Sequence, residues 1–348
     1  MPLPALRRFL FSSFLLASLL LLAGRACAEL VWTPQSGWKV EGGVLATTPD
    51  GGTSYSAVGL MNKARAAEEK GHNGTAIKYY GRVAKRYANS IYAGEAQYRM
   101  GNLRFARQQY LKAFAAYQAV IVNYPNTTRF NEIIGKQYQI ATILLDGGRG
   151  RIWGIFPGFT NREKAIGFME TVVVEAPYSD YAPLALMCAA SGYEYMRESE
   201  EAIDALDRMI NIYAQNTLLP DAYLKLAQSH SALVDGPHYD QGSTRDAITY
   251  FEDFMILFPS DNNVVTAEKG LTDMKVVLAE SKIKMGDFYF HDRSNYKAAR
   301  VFYNEAITVY PDSPVAARAK DLLAQVDVAA AKAAQAQAHP KKKHFFFF

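Results

Sequence analysis

The side chains that could bind a metal or act as an acid or base are scattered along this sequence. Its 348 residues include six histidines. No two of them lie four residues apart, and none stands at a zinc-binding spacing from a cysteine. We therefore expect surface or loop histidines, and we predict neither a metal site nor a cofactor. The six are His72, His230, His238, His291, His339 and His344.

A glycine-rich stretch, DGGRGRIWGIFPG at residues 146–158, has the composition of a phosphate-binding loop. Such a loop follows a strand and ends in Gly-Lys-Ser/Thr, and both features are absent here. We interpret residues 147–161 as an insertion between helices, whose Trp153, Ile155 and Phe156 either pack on the fold or contact a partner. No nucleophile stands beside a base in the sequence, so we do not predict an enzyme.

Small and aromatic residues, in contrast, recur at a fixed spacing. Six stretches align without a gap: each starts with alanine and has a large residue four positions later, and five have an aromatic residue eleven positions later. Proline follows in four of them. Positions 0, 4, 7 and 11 form one stripe of an α-helix, and proline ends it. The six alanines are Ala76, Ala113, Ala165, Ala202, Ala247 and Ala299.

A second predicted helix precedes each stretch, most clearly IYAGEAQYRMGNLRFARQQY at residues 91–110. This order is the tetratricopeptide pattern. The first helix carries a small residue, here Gly101, and the second carries alanine, an aromatic residue and proline at the positions given above. The sequence predicts an all-α fold, a tetratricopeptide-repeat right-handed superhelical solenoid of about six helical hairpins over residues 54–325. Residues two positions after the proline slot are expected to cap the next helix. They are Ser90, Thr127, Ser179 and Ser313.

Residues 1–28 have the features of a signal peptide. Two arginines precede an apolar run at residues 9–23, and Ala26-Cys27-Ala28 gives the small-x-small cleavage pattern. A lipid attached to Cys27 is the alternative. Without this segment the chain has 35 Lys and Arg against 34 Asp and Glu, so its charge does not indicate nucleic acid as a partner. Only Cys188 then remains, which excludes an intramolecular disulfide.

Two further segments flank the repeats. Residues 29–53 are expected to be extended, with Trp32 and Trp38 as docking points on the first repeats. Residues 326–348 are predicted to be a flexible, alanine-rich tail that ends in basic and aromatic residues, KKKHFFFF. Lysines with aromatic rings are typical of a contact with a membrane surface. A terminal peptide bound by a partner and a disordered end are the alternatives.

A tetratricopeptide array binds extended peptides in a groove lined by the first helix of each hairpin. Five residues of the second and third hairpins are predicted to face it, with rings that stack on peptide side chains and an amide that bonds the peptide backbone. The alternative is that the aromatic members are core residues at helical spacing. The five are Tyr98, Asn102, Phe105, Tyr138 and Thr142.

The region of residues 218–322 resembles a known family. STRDAITYFEDFMILFPSD at residues 243–261, Leu-Ala-Glu at 278–280, Gly286, Tyr296 and Tyr-Pro-Asp-Ser-Pro at 310–314 follow the order of motifs in BamD-type factors. These are tetratricopeptide lipoproteins of the β-barrel assembly machine in the outer membrane. The chain departs from the family in its poor lipid-attachment sequence and its sixth repeat.

The resemblance implies a location in the periplasm, at the outer membrane. It implies two partners: the barrel-assembly outer-membrane protein, through its periplasmic domains, and unfolded outer-membrane proteins. The implied interface lies in the last two repeats around Tyr296, Arg300 and Asn304, with Phe302 where the family tends to have arginine.

These observations predict a non-enzymatic periplasmic adaptor in outer-membrane β-barrel protein assembly. The alternative is a cell-envelope scaffold that coordinates cell-wall synthesis or division through protein–protein contacts. Such scaffolds usually have an N-terminal coiled coil, and residues 29–54 contain no heptad run.

Overall fold

The computed structural model describes residues 29–35, 37–41, 53–152 and 154–338. The predicted signal peptide, Trp153 and the basic-aromatic end of the tail therefore lie outside the described residues. The chain forms two compact units, Met1–Asn161 and Arg162–Phe348. Helices dominate both units, which confirms the predicted all-α class of stacked tetratricopeptide hairpins.

The first unit contains five described helices and two small β-hairpins. Each helix packs against the next, from α1 to α5. Strands β1 and β2 are antiparallel, with Trp32 opposite Trp38, and the two-residue strands β3 and β4 also pair. The elements are β1 Glu29–Thr33, β2 Gly37–Glu41, α1 Thr53–Glu69, α2 Asn73–Arg86, α3 Tyr92–Ala106, α4 Tyr110–Asn123, α5 Phe130–Leu145, β3 Arg151–Ile152 and β4 Phe156–Pro157.

The second unit contains eight described α-helices and one short π-helix. Its helices also pack in sequence order from α6 to α13. The elements are α6 Arg162–Glu175, α7 Tyr181–Met196, α8 Ser199–Ile212, α9 Leu219–Ala232, α10 Gly242–Leu257, α11 Val264–Asp287, the π-helix Phe288–Asp292, α12 Tyr296–Val309 and α13 Pro314–Ala338. Of the six predicted hairpins, α1–α2 and α3–α4 belong to the first unit, and α7–α8, α9–α10 and α11–α12 to the second. The predicted third hairpin has α5 in the first unit and α6 in the second.

The predicted stripe of alanines and large residues forms the core of the hairpins. All six alanines are fully buried, and the large residues four positions later are at most 2% exposed. Burying one such side chain contributes roughly 1.5–3 kcal/mol. The small alanine lets a neighbouring helix approach, and the large residue fills the space beside it. The large residues are Tyr80, Tyr117, Met169, Leu206, Phe251 and Tyr303.

Glycines in the first helices make this close approach possible. A Cβ added to Gly101 on α3 would lie 2.7 Å from Cε1 of Tyr117 on α4. Gly286 on α11 meets the ring of Tyr303 on α12 in the same way. Each glycine therefore receives the large residue of its own hairpin, as the tetratricopeptide pattern requires.

Only one of the four predicted helix caps acts as one. Ser313 accepts a bond from the backbone N–H of Ala316 at 3.0 Å and so caps α13. Helices α3, α5 and α7 begin after Ile91, Arg129 and Asp180, which make no side-chain cap bond. The expectation for Ser90, Thr127 and Ser179 is wrong because a backbone turn closes first, as in the 2.9 Å bond from Ser90 N to Tyr87 O. Each helix then starts later than the serine or threonine.

The two flanking segments are more ordered than their sequences indicate. Helix α13 continues to Ala338, so the boundary predicted at residue 325 is not a helix end. Alanine has the highest helix propensity, and the sequence VAAAKAAQAQA keeps the helix going. In the segment predicted to be extended, residues 29–33 and 37–41 form two antiparallel strands. Within the described residues, no helix has the length and apolar character needed to span a membrane.

Candidate functional site

Charged residues on the first helices of unit 1 form a continuous network. Arg99 on α3 lies between two carboxylates: its Nε is 2.8 Å from Glu95 Oε1, and its Nη1 is 3.9 Å from Glu68 Oε1 on α1. Arg65 on α1 approaches the same Glu68 oxygen at 3.4 Å. These contacts join α1 to α3, and we call this set, with its extension to α5, the first-helix network.

The network continues to α5 through Arg129. Its Nε lies 3.2 Å from Glu95 Oε2, and its Nη1 lies 3.6 Å from Glu132 Oε2. Its guanidinium also lies 4.6 Å from the centre of the Tyr98 ring. The Tyr98 hydroxyl donates to Glu132, and burial, with this bond, raises the pKa of Tyr98. The phenol therefore stays protonated and remains a donor at neutral pH.

The five predicted groove residues lie on α3 and α5, beside this network. Tyr98 is only 5% exposed, and Asn102 Oδ1 accepts the Tyr117 hydroxyl at 2.6 Å. Lys136 Nζ of α5 lies 5.1 Å from the centre of the Phe105 ring. Tyr98, Asn102 and Phe105 are thus brought together with α5 residues, but largely through internal contacts. Their binding role stays a prediction.

Tyr138 and Thr142 lie farther along α5. The Thr142 hydroxyl donates to the Tyr138 carbonyl at 3.0 Å, which is a bond within one helix turn. Both side chains are half-buried. Their role in peptide binding likewise stays a prediction.

The N-terminal β-hairpin covers the α1 end of the first-helix network. The backbone N–H of Trp38 donates to Asn62 Oδ1 at 2.9 Å, and the Trp38 side chain is buried. Arg65 lies 4.3 Å above the Trp32 ring, and Arg99 lies 5.5 Å above the Trp38 ring. The hairpin therefore packs against Arg65 of α1 and Arg99 of α3, at one end of the network.

Sequence reasoning missed the charged half of this site. Glu95 and Arg99 are four residues apart, and Arg129 and Glu132 are three apart, so each pair could have been recognised as helical neighbours. The contacts that join one helix to the next, such as Arg129 with Glu95, have no local signal. The arrangement offers ionic and hydrogen-bonding groups beside aromatic rings, which is suited to an extended polypeptide.

A second candidate site lies on the sixth hairpin, in unit 2. The π-helix places Tyr289 parallel to Phe302, with ring centres 5.3 Å apart and planes inclined by 6°. Phe290 meets Tyr296 edge-on at 6.1 Å, and Lys282 Nζ lies 5.9 Å from the Phe302 ring centre. Two of the predicted interface residues, Tyr296 and Phe302, therefore belong to one aromatic cluster built around the π-helix.

The other two predicted interface residues lie on the surface of α12. Arg300 Nε is 2.6 Å from Asp327 Oδ1 of α13, an exposed pair. Asn304 is exposed, and its Nδ2 donates to the Arg300 carbonyl at 2.9 Å. Asn304 lines an open groove of about 600 Å³ together with Lys282, Val301 and other residues of α10 to α12.

The insertion at residues 147–161 folds back on its own unit. Arg151 N–H donates to the Gln108 carbonyl at 2.7 Å, and Gly158 N–H donates to the Gly150 carbonyl at 2.7 Å. The first bond holds the β3–β4 hairpin beside the α3–α4 turn, and the second closes the base of the hairpin. Ile155 and Phe156 point outward and are more than half exposed.

The described histidines lie apart from each other. Within the described ranges, no group of three or more histidine, cysteine, aspartate or glutamate residues could hold a metal ion. His230 stacks on Tyr250 with ring centres 5.2 Å apart. Its Nδ1 lies 3.8 Å from Asp246 Oδ2.

Comparison with known proteins finds two family models. The YfiO model, described as an outer membrane lipoprotein, matches residues 160–343, more than half of the chain. A tetratricopeptide repeat model matches residues 59–90 and 95–127, in the first two hairpins. The first match covers almost all of the second unit, and the second lies within the first unit.

One curated relative is the outer membrane protein assembly factor BamD of Rickettsia prowazekii (strain Madrid E). It is 26% identical over 148 residues, which is 42% of this chain. The chain spans 59% of the length of this relative.

Two solved structures are also similar. A tetratricopeptide repeat protein from Parabacteroides merdae is 13% identical with a TM-score of 0.31, over 78% of this chain and 99% of that chain. MamA from Desulfovibrio magneticus RS-1 is 16% identical with a TM-score of 0.30, over 61% of this chain and 98% of its own.

Proposed function

The chain belongs to the YfiO family of outer membrane lipoproteins, and we propose that it is a non-enzymatic periplasmic adaptor in the assembly of outer-membrane β-barrel proteins. The observation that carries this proposal is the family match over residues 160–343. The similarity to a BamD assembly factor supports it. The adaptor acts at the periplasmic side of the outer membrane.

The first proposed partner is the barrel-assembly outer-membrane protein, bound through its periplasmic domains. The sixth hairpin lies within the family match and carries the predicted interface. Aromatic residues and arginine contribute most to binding at protein interfaces. Tyr296 and Phe302 supply the rings, Asn304 lines the open groove, and Arg300 lies one helix turn before Asn304 on α12. This combination supports the sixth hairpin as the docking surface.

Crosslinking in native envelopes, followed by pull-down, tests this interface. The variant Arg300→Glu with Asn304→Ala changes only surface contacts, so the hairpin core should remain folded. Its matched control is Lys78→Glu with Asn123→Ala in the first unit, where Asn123 Nδ2 bonds a helix carbonyl at 2.8 Å just as Asn304 does. We expect the interface variant to lower recovery of the barrel-assembly protein at least about fivefold, since losing a residue that dominates an interface costs more than about 1 kcal/mol.

Two results would contradict the docking proposal. Equal recovery with both variants would exclude the sixth hairpin as the interface. Recovery of cell-wall synthases or division proteins, without any barrel protein, would favour the envelope scaffold instead.

The second proposed partner is an unfolded segment of an outer-membrane protein. It would bind along the α3 and α5 part of the first-helix network, where Phe105, Tyr138 and Thr142 are half-buried and not fully enclosed. Arg129, Glu132 and Lys136 add charged groups beside these rings. An extended peptide has unpaired backbone groups that such a surface can bond.

A photo-crosslinking residue at position 142 tests this groove. Position 249 is the control, because the Thr249 hydroxyl also donates to a carbonyl of its own helix turn, at 3.0 Å. A synthetic peptide with alternating apolar and polar residues should form adducts at position 142 and not at 249. Equal labelling at both positions, or labelling only at 249, would contradict the groove.

A further inference from the structure

The β3–β4 insertion carries an exposed apolar tip that neither the core nor the proposed function uses. Four apolar residues of this hairpin are 46–87% exposed. Large contiguous apolar patches on soluble proteins mark sites of interaction with proteins, membranes or ligands. The four residues are Ile152, Ile155, Phe156 and Phe159.

The hairpin is held so that this tip points outward. Its base is fixed to the α3–α4 turn by the bond from Arg151 N–H to the Gln108 carbonyl, and it is closed by the bond from Gly158 N–H to the Gly150 carbonyl. Gly154, with a φ of +78°, lets the chain turn at the tip. The guanidinium of Arg107 lies directly against Gly154, where a Cβ would be 2.8 Å from its Nε. The tip therefore cannot turn inward without breaking these contacts.

Positive charge predominates in the two segments that carry and hold the apolar tip. Residues 104–112 and 146–161 together contain five cations and one carboxylate, Asp146. Three of the cations are exposed. An apolar cluster framed by arginine and lysine is complementary to a bilayer whose headgroups are anionic. The five cations are Arg104, Arg107, Lys112, Arg149 and Arg151.

The small size of the patch favours a lipid surface over a protein as its binding partner. A stable protein interface buries about 800 Å² on each side, and a hairpin with two-residue strands presents much less. Beside the tip lies a cleft of about 320 Å³ lined by Leu111, Leu144, Ile152 and Phe159. The cleft extends the apolar surface from the tip toward Lys112. A narrow apolar projection with cations at its base fits the boundary between headgroups and acyl chains.

We propose that the β3–β4 insertion forms a membrane-contacting site through its described residues 147–152 and 154–161. Ile155, Phe156 and Phe159 enter the interface of a bilayer that contains anionic phospholipid, while Arg149 and Arg151 contact the phosphate groups. This site belongs to unit 1 and shares no residue with the sixth hairpin or with the C-terminal tail. It does not depend on the adaptor function.

Vesicle flotation of the chain from residue 29 to 348 tests the proposal. The probes are vesicles of phosphatidylethanolamine with phosphatidylglycerol, and vesicles of phosphatidylcholine alone. All variants are made in a background in which Lys341, Lys342 and Lys343 are replaced by serine, so that the tail cations do not contribute. We expect binding to the anionic vesicles that weakens as salt is raised.

Two variants and one control then locate the contact. Ile155→Ser with Phe156→Ser, and separately Arg149→Glu with Arg151→Glu, should each weaken binding to anionic vesicles by about tenfold or more. The control, Val174→Ser with Val265→Ser, removes two equally exposed apolar side chains from unit 2 and should leave binding unchanged. Because all these positions are exposed, the helical fold should be retained in each variant.

Hydrogen exchange provides a second, local measurement. Amides of residues 152–159 should exchange more slowly when anionic vesicles are added. Unchanged exchange in this segment would overturn the proposal, as would loop variants that bind like the control, equal binding to both kinds of vesicle, or no binding at all.

Discussion

At the scale of single residues, a tyrosine hydroxyl ties the two helices of a hairpin together in three of the repeats. Tyr80 donates to Glu68 at 2.8 Å, and Tyr117 donates to Asn102 at 2.6 Å. Tyr303 donates to Asp287 at 2.7 Å. In each case the acceptor directly follows the small residue of the first helix in sequence. Burial raises the pKa of all three phenols, so they remain protonated donors at neutral pH.

Replacing Tyr117 by phenylalanine should therefore destabilise the fold. The change removes the bond to Asn102 and leaves its carbonyl oxygen with one partner fewer, which costs about 1 kcal/mol of unfolding free energy. Tyr178→Phe is the control, because Tyr178 is fully exposed. Urea unfolding of both variants measures the difference. Equal stabilities would show that the bond contributes nothing.

The histidine stacked on Tyr250 makes stability depend on pH. Burial lowers the pKa of His230 below its ordinary 6.5, while Asp246 and Asp207 oppose the shift. Between the lowered folded pKa and 6.5, the unfolded chain binds a proton that the folded chain does not. The free energy of unfolding therefore decreases as pH falls below 6.5.

Thermal unfolding of the chain and of His230→Phe between about pH 5 and pH 8 checks this contribution. The unsubstituted chain should lose more stability toward the acid end than the variant does. Parallel curves for the two proteins would contradict a lowered pKa at His230.

At the scale of elements, the repeat pattern predicted the hairpins because its signal is local. The alanine and the large residue four positions later share one helix face, and both are buried in all six copies. The β-hairpin at residues 29–41, the β3–β4 hairpin and the π-helix were not predicted. Each depends on contacts with distant residues, such as Trp38 with Asn62 and Arg151 with Gln108.

The candidate sites also combine features that local sequence patterns predict with contacts between distant residues that they do not. The sequence pointed to α3, α5 and α12 through their aromatic residues and the family resemblance. It did not indicate that Arg129, just before α5, bonds Glu95 of α3, or that Phe302 stacks on Tyr289. Such pairings arise from the packing of one helix on another, and no spacing within a helix encodes them.

Because α3 and α4 approach closely at Gly101, adding a single methyl group there should lower the stability of the fold. Gly101→Ala would push its methyl group into the Tyr117 ring, where the added Cβ lies 2.7 Å from Cε1, and would cost about 1–3 kcal/mol through overpacking. Gly167→Ala on α6 is the control, since nothing lies within 4 Å of the added Cβ. The control should be neutral or up to about 1 kcal/mol more stable, because alanine favours a helix over glycine. Equal unfolding midpoints would contradict the packing account.

At the scale of the whole molecule, the two units match different family models. The YfiO match covers nearly all of unit 2, and the tetratricopeptide match lies in unit 1. We therefore propose that unit 2 docks to the assembly machinery, and that unit 1 provides the peptide groove and the membrane contact.

Truncation after Asn262 should therefore abolish recovery of the barrel-assembly protein, because it removes α11 to α13 with the whole proposed interface. The cut also uncovers Phe251, which packs against α11. The surface variant Arg300→Glu with Asn304→Ala separates loss of docking from loss of folding. A truncated chain that still recovers the partner would contradict an interface on the sixth hairpin.

Depletion of the protein in its native host, followed by quantification of outer-membrane β-barrel proteins, tests the central claim most directly. An assembly adaptor predicts that several unrelated barrel proteins decrease in the outer membrane and accumulate unfolded, before any change in cell-wall synthesis or division. Unchanged barrel levels, together with defective cell-wall synthesis or division, would contradict the assembly function and favour the envelope scaffold.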